Sequence, residues 1–250
     1  MAPNLRRKIP QIQSEAASID LMGAGAPGRL GSQRIIIDDD KLLKQLETEC
    51  RRHLALYDRF YTETYGARSP AHLEKFIQNA KAEKGTFWDS FGVASLALLK
   101  EAGAGRGVRV LSLGSGIGTV ETAAARILGA DVTGIEYDRD YATVAKRAAD
   151  WFKANGLTEG GLNLLQGDFL EHDLKGYDIL YYFQLGTSDP KALEEKVLRG
   201  LKKGGRFVVY QYENRKGYGF PKLAEKSNLT KVDVKEGGLT LHAGAIFTHK

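Results

Sequence analysis

The sequence predicts an α/β fold built on a mostly parallel sheet that closes with an antiparallel hairpin. Three observations predict it. From residue 108 onward, short apolar runs alternate with stretches of helical periodicity, the pattern of repeated strand–helix units joined by right-handed crossovers. The first of these runs, Val108 to Leu113, passes straight into Gly114-Ser115-Gly116-Ile117-Gly118 and then into a helical pattern from Thr119. At the far end, Leu229–Val234 and Leu239–Thr248 flank Glu236-Gly237-Gly238, which reads as a hairpin rather than another crossover.

Composition narrows the class. A chain of 250 residues accommodates one α/β domain with an extension and an ample core. No apolar run approaches bilayer-spanning length, so no membrane partner is expected. The single cysteine, Cys50, excludes an internal disulfide and offers no zinc cluster, so no metal site and a cytoplasmic location are expected. The net charge of +5 fits an acidic partner without requiring one. Lysines and arginines are interspersed with acids and no RNA-binding motif appears, so a nucleic-acid partner lacks support.

Taken in order, residues 1–34 are rich in Gly, Ala, Pro, Ser and Arg and read as a disordered tail. Arg6, Arg7 and Lys8 raise an organelle presequence, but no amphipathic helix follows them. Residues 35–84 read as an N-terminal helical cap. Asp38, Asp39 and Asp40 suit a helix start, and Leu42, Leu43, Leu46, Cys50, Leu54, Tyr57, Phe60 and Tyr61 recur at three- and four-residue steps. Tyr57, Phe60, Tyr61 and Tyr65 form an aromatic stripe, which is packing more often than a substrate entrance. Ser69-Pro70 begins a second helix through Leu73, Phe76 and Ile77. Residues 85–250 form the main domain. A helix over about 89–100 precedes the glycine strand. Helices over 119–129, 138–155 and 190–201 then alternate with strands over 131–135, 162–166, 177–183 and 206–212.

The glycine turn carries the chemistry. Glycines at alternate positions let backbone approach a ligand closely. The third glycine comes one residue early for the G-x-G-x-x-G dinucleotide fingerprint, and no phosphate-loop Lys-Ser/Thr follows. The next strand ends in Glu136, where an acid accepts hydrogen bonds from a ribose diol, and the one after it leads to Asp168. Three strand ends thus converge on one edge, where open α/β sheets bind ligands.

Leu113-Gly114-Ser115-Gly116-Ile117-Gly118, Gly134-Ile135-Glu136 and Gln166-Gly167-Asp168-Phe169 resemble the successive motifs of class I S-adenosylmethionine-dependent methyltransferases, a likeness covering roughly residues 85–250. The resemblance implies a Rossmann-like, mostly parallel seven-stranded sheet with the terminal hairpin, and S-adenosyl-L-methionine as cofactor. It places Gly114, Gly116 and Gly118 beside the methionine part, Glu136 on the ribose hydroxyls, Asp168 on the adenine amino group and Phe169 against the ring. Phe87, with Trp88 as its alternate, would cover the sulfonium or the adenine. Leu113, Ser115, Tyr137 and Phe183 complete the implied cofactor shell. One departure stands out: the family usually carries Asp or Glu where this chain has Ser112.

Gly167-Asp168-Phe169-Leu170, Phe183-Gln184-Leu185-Gly186 and Lys203-Gly204-Gly205-Arg206 are similar to the protein-lysine methyltransferases built on the class I fold. This implies a methyl acceptor that is a protein lysine, in a channel for which Tyr182, Gln184 and Tyr212 are the candidates. The histone enzymes carry Asn at the place of Tyr182, so the match is partial. The Asn/Asp-Pro-Pro-Tyr/Phe motif of amino- and base-methylating members is absent at residues 183–187, and His172 reads as an exposed loop residue. No catalytic residue is identified. The alternatives are a small-molecule N- or O-methyltransferase, an RNA methyltransferase and an inactive cofactor-binding scaffold. A nicotinamide oxidoreductase is disfavoured by the glycine spacing and the terminal hairpin.

Overall fold

The computed structural model describes residues 33–66, 87–183, 189–211, 220–236 and 239–250. In chain order these form β1 (Gln33–Ile37), α1 (Asp40–Tyr65), α2 (Phe87–Glu101), β2 (Arg109–Leu113) and α3 (Thr119–Ala123). They continue with β3 (Asp131–Glu136), α4 (Arg139–Ala154), β4 (Leu162–Gln166), β5 (Ile179–Phe183) and α5 (Pro190–Gly200). The chain closes with β6 (Arg206–Gln211), α6 (Pro221–Lys226), β7 (Ser227–Glu236) and β8 (Leu239–His249).

The strands share one sheet in the order β1-β7-β8-β6-β5-β2-β3-β4. β8 runs antiparallel to both β6 and β7, and the other pairs are parallel. The register sets Ser112 opposite Gly134 on one side and Tyr181 on the other. Alternate residues of each strand enter different layers, as strand pleating requires. Val110, Tyr181, Val208 and Tyr210 pack with α1, α2, α3 and the alanine face of α4. Leu111, Leu113, Leu180, Tyr182, Phe207 and Val209 pack with α5 and α6 on the opposite face.

Local chemistry starts the helices where the sequence does. Asp39 caps α1, its carboxylate accepting from Lys41 N and Leu42 N at 3.0 Å each. Asp138 does the same for α4, and Asp189 caps α5 with Pro190 in its first turn. The helix expected over 119–129 divides: after Ala123 the chain widens into a π-helical turn, Ala124–Leu128. The freed Ala125 carbonyl accepts from the N–H groups of Glu159 and Gly160, at 3.2 and 3.1 Å, in the loop that leads to β4.

Among the described residues the sheet has eight strands, where seven were expected. The added strand is β1, whose Ile35-Ile36-Ile37 run is β-branched and which pairs in parallel with β7. It begins at Gln33, inside the stretch read as tail, and Arg34 grips Asp233 through two nitrogens at 2.8 and 2.5 Å. The short helix α6 is a second addition. Residues 1–32 and the helix expected from Ser69-Pro70 lie outside the described residues. No helix among the described residues is long and apolar enough to cross a membrane.

Candidate functional site

The site is built at the carboxyl edge of β2 and β3. Gly114, Gly116 and Gly118 have φ of 83°, 56° and 82°, the left-handed region in which a Cβ is strained. Gly114 N and Ser115 N both donate to the Ile135 carbonyl, at 2.9 and 3.0 Å, which ties the turn to β3. A Cβ on Gly114 or Gly116 would meet nothing within 4 Å, so the backbone faces open space there. Gly118 differs. A Cβ there would run into Leu164 and press on Ala145, so its absence lets β4 and α4 close against the turn. The Ser115 side chain turns inward, against the space that Gly134 leaves.

Glu136 is locked to this turn. Its Oε2 accepts from Gly116 N at 2.7 Å and its Oε1 from Asp138 N at 2.9 Å. A carboxylate has about four acceptor positions, so two such bonds orient the group and leave it capacity for hydroxyl donors. Tyr137, next in the chain, is 75% exposed, one of the two exposed large hydrophobic side chains among the described residues. Asp168 is half-buried and accepts from Leu170 N at 2.7 Å, which shapes the turn after β4. Phe169 packs partly into the layer of α5 and α6, edge-on to Tyr182 with ring centres 6.3 Å apart.

The tip of β5 splits its aromatic residues between layers. Phe183 stacks on Tyr210 with ring centres 4.8 Å apart and planes 17° apart. Tyr181 is fully buried on the same face and donates to Ser95 Oγ at 2.8 Å, and burial pushes its phenol up from the ordinary value. Tyr182 lies on the opposite face, 6% exposed, near-parallel to Phe207 and edge-on to Phe220. Gln184, Tyr212 and the side chain of Phe87 lie outside the described residues; the backbone of Phe87 opens α2. His172 is half-buried, its Nε2 3.3 Å from the Tyr177 hydroxyl. Among the described residues no group of three His, Cys, Asp or Glu could hold a metal ion.

The aromatic stripe of α1 is packing, and it braces the turn. Tyr57, Phe60 and Phe152 form one buried cluster with Ile117 and Val144. The Tyr57 hydroxyl donates to the Ile117 carbonyl inside the glycine turn at 3.1 Å. Its neighbour His53 places Nε2 3.0 Å from Thr122 Oγ1. Burial, reinforced by the Arg126 charge, lowers the His53 pKa to about 3, so the ring is neutral. Arg126 itself is taken up by Glu49, through its carbonyl at 2.8 Å and its carboxylate at 3.0 Å.

One residue of the site was not singled out from the sequence. Ser112 Oγ donates to Glu121 Oε1 at 2.5 Å. Glu121, from α3, is 3% exposed, and its Oε2 has no hydrogen-bond partner. Burial raises the carboxyl pKa to about 7, against the opposing pull of the Ser112 hydroxyl and with a further push from the Glu136 charge. An acid therefore lies against the strand position where Ser112 departs from the expected pattern, but it arrives from the helix. The signal available in the sequence was an acid on a helix face otherwise made of Thr119, Thr122 and three alanines.

No family model matches the chain. Over 152 residues it is 29% identical to the sterol 24-C-methyltransferase ERG6 of Saccharomyces cerevisiae, a match covering 59% of this chain and 37% of that protein. Sterol 24-C-methyltransferase ERG6A of Gibberella zeae is 26% identical over 152 residues, covering 59% and 38%. The match thus spans little more than a third of the length of these curated relatives. Among solved structures, a point mutant of MtNAS in complex with S-adenosylmethionine is similar with a TM-score of 0.52 and 14% identity, over 85% of this chain and 80% of that one. The likeness concerns architecture: a Rossmann-like, mostly parallel sheet finished by an antiparallel hairpin, the fold of class I methyltransferases.

Proposed function

We propose that this chain is an S-adenosylmethionine-dependent methyltransferase. The observation that carries the reading is the clamp between Gly116 N and Glu136 Oε2, which sets a carboxylate beside an open left-handed glycine turn at the edge of a parallel sheet. The residues present suit the cofactor. An uncovered backbone cradle suits its amino-acid part, and an oriented carboxylate with free acceptor capacity suits a ribose diol. The exposed ring of Tyr137 suits an adenine face, and the unpartnered oxygen of Glu121 suits a nearby cation. S-adenosylmethionine supplies a methyl group activated on a sulfonium, for in-line transfer to a nucleophile.

In this reading Leu113, Gly114, Ser115, Gly116 and Gly118 hold the methionine part, Glu136 the ribose and Asp168 with Phe169 the adenine. Phe87 and Phe183 flank the cofactor. The protein's contribution is to bind, orient and exclude water; no side chain is required to take a proton if the acceptor arrives neutral. A protein lysine is our acceptor, on the strength of residues 167–170, 183–186 and 203–206; a dry channel favours its neutral amine, whose lone pair attacks. Tyr182, Gln184 and Tyr212 are the channel candidates, and Tyr182 packs against Phe207 and Phe220. A small-molecule acceptor is the second reading, favoured by the match to the sterol methyltransferases.

The test is transfer of label from S-adenosylmethionine into cell extract split into protein, RNA and small-molecule pools. Label in protein, retained after nuclease treatment and recovered as methyl-lysine, supports the first reading. Label in the small-molecule pool replaces it with the second, and label in RNA refutes both. Cofactor binding without transfer to any pool refutes turnover in favour of a scaffold.

A further inference from the structure

A buried carboxyl with one unpartnered oxygen is an unusual expense in a fold, and Glu121 is such a group. Among the described residues, the elements around it offer no compensating cation. β2 contributes the Ser112 hydroxyl. β3 contributes the like charge of Glu136. From α1 and β5, Tyr57 and Tyr181 stand within reach of its charge, both as buried neutral phenols, and the Tyr181 hydroxyl is engaged with Ser95 of α2. His53 of α1 is neutral, and Arg126, beyond α3, is bound to Glu49. Glu121 forms no ion pair among the described residues. What it does have is a place in the first turn of the helix that Gly118 opens, and a bond to the strand residue two positions before Gly114.

We propose that Glu121 is the counter-charge for the cationic amino-acid end of the cofactor, and that binding this end draws a proton off the Glu121 carboxyl into solvent. The inference rests on the methyltransferase reading. Glu121 is a positioning residue here: it supplies an anion that the strand lacks at Ser112, and the Ser112 hydroxyl holds that anion in place. The nearby like charge of Glu136 works in the same direction, adding to the burial that favours the protonated carboxyl before the ligand arrives. The coupling makes cofactor affinity depend on pH in a defined sense. Below neutrality the incoming cation must displace a proton, so binding strengthens as pH rises and levels off once Glu121 is ionised before the ligand arrives.

The experiment is titration calorimetry of the full chain with S-adenosylmethionine, S-adenosylhomocysteine and 5′-methylthioadenosine, in buffers of different ionisation enthalpy. Wild type is compared with Glu121→Gln and Ser112→Ala. The count is read at pH 6, where the ligand's amine is protonated both free and bound, so that wild type and Glu121→Gln differ only by the Glu121 carboxyl. With the unliganded group titrating at about 7, that difference is about nine-tenths of a proton released at pH 6. It is present for both ligands that carry the ammonium and absent for methylthioadenosine, which lacks it. Glu121→Gln binds S-adenosylmethionine roughly tenfold or more weakly at pH 8, the loss expected of a charged partner. Ser112→Ala removes a donor to the carboxylate and so moves the release to higher pH. Equal proton release by wild type and Glu121→Gln, or release with methylthioadenosine, overturns the proposal. If wild type binds none of the three ligands, the cofactor assignment itself fails, and the proposal with it. The wild-type proton count needs no variant to fold, and release by wild type with methylthioadenosine alone is sufficient to refute the idea.

Discussion

Glu121→Gln should stabilise the unliganded protein at alkaline pH, although it removes a group from the interior. The carboxyl titrates at about 7 in the fold against an ordinary 4.5. Between those values the folded state binds the proton more tightly than the unfolded chain, so stability falls as pH rises through the window and the penalty is complete above it. At about 1.4 kcal/mol per pH unit, the penalty reaches about 3 kcal/mol. Glutamine keeps an oxygen for the Ser112 hydroxyl but brings N–H donors without an acceptor, at a cost of about 1–2 kcal/mol. The net gain at pH 8 is therefore about 1–2 kcal/mol, while at pH 5 the variant is the less stable of the two. Urea unfolding without cofactor, followed at pH 5, 6.5 and 8, reads both the sign change and the flatter pH slope. Parallel pH profiles for wild type and variant would refute the reasoning, because they would mean that the carboxyl ionises in the fold as easily as in the unfolded chain.

Three further outcomes follow from the same geometry. Gly118→Ala combines a left-handed backbone at φ 82° with a methyl driven into Leu164 and Ala145, so thermal unfolding should show a loss of about 2–4 kcal/mol. Glu136→Ala removes charge-assisted bonds worth about 1.5–3 kcal/mol each; cofactor affinity measured by equilibrium dialysis should drop by at least tenfold, and unchanged affinity would sink the ribose assignment. His53, at about 3 in the fold and 6.5 ordinarily, takes up a proton on unfolding across that interval. Its contribution is thus lost as pH falls, by about 3 kcal/mol between pH 6.5 and pH 4, and unfolding curves of His53→Gln should lack that part of the acid sensitivity.

Local patterns in the chain were enough to locate most of the architecture. The parallel strands, the glycine turn and the terminal hairpin were legible because strand and helix periodicities, caps and glycine turns are properties of consecutive residues. Glu136 was legible for the same reason, since it is the last residue of its strand. What depended on partners far along the chain was not. β1 is five residues whose hydrogen bonds go to β7, almost two hundred positions away, so its strand character needed the sheet to be seen. The layer that Tyr182 enters was set by strand pairing, which turned it toward Phe207 and left Tyr181 facing Ser95. The aromatic stripe of α1 had two readings until α4 and the Ile117 carbonyl were seen to cover it.

The sequence by itself determined the chemistry of this strand edge: glycines that free the backbone, followed at the next strand end by an acid. Only the tertiary structure decided where the second acid stands. Ser112 marks a missing charge in the strand and Glu121 an isolated acid in an apolar helix. The two explain each other only when α3 is laid on the sheet and the hydroxyl and carboxyl come within 2.5 Å. The physical reason is that the energy of a buried charge depends on its distance from other groups in space and on its exclusion from water, and neither is a function of position along the chain.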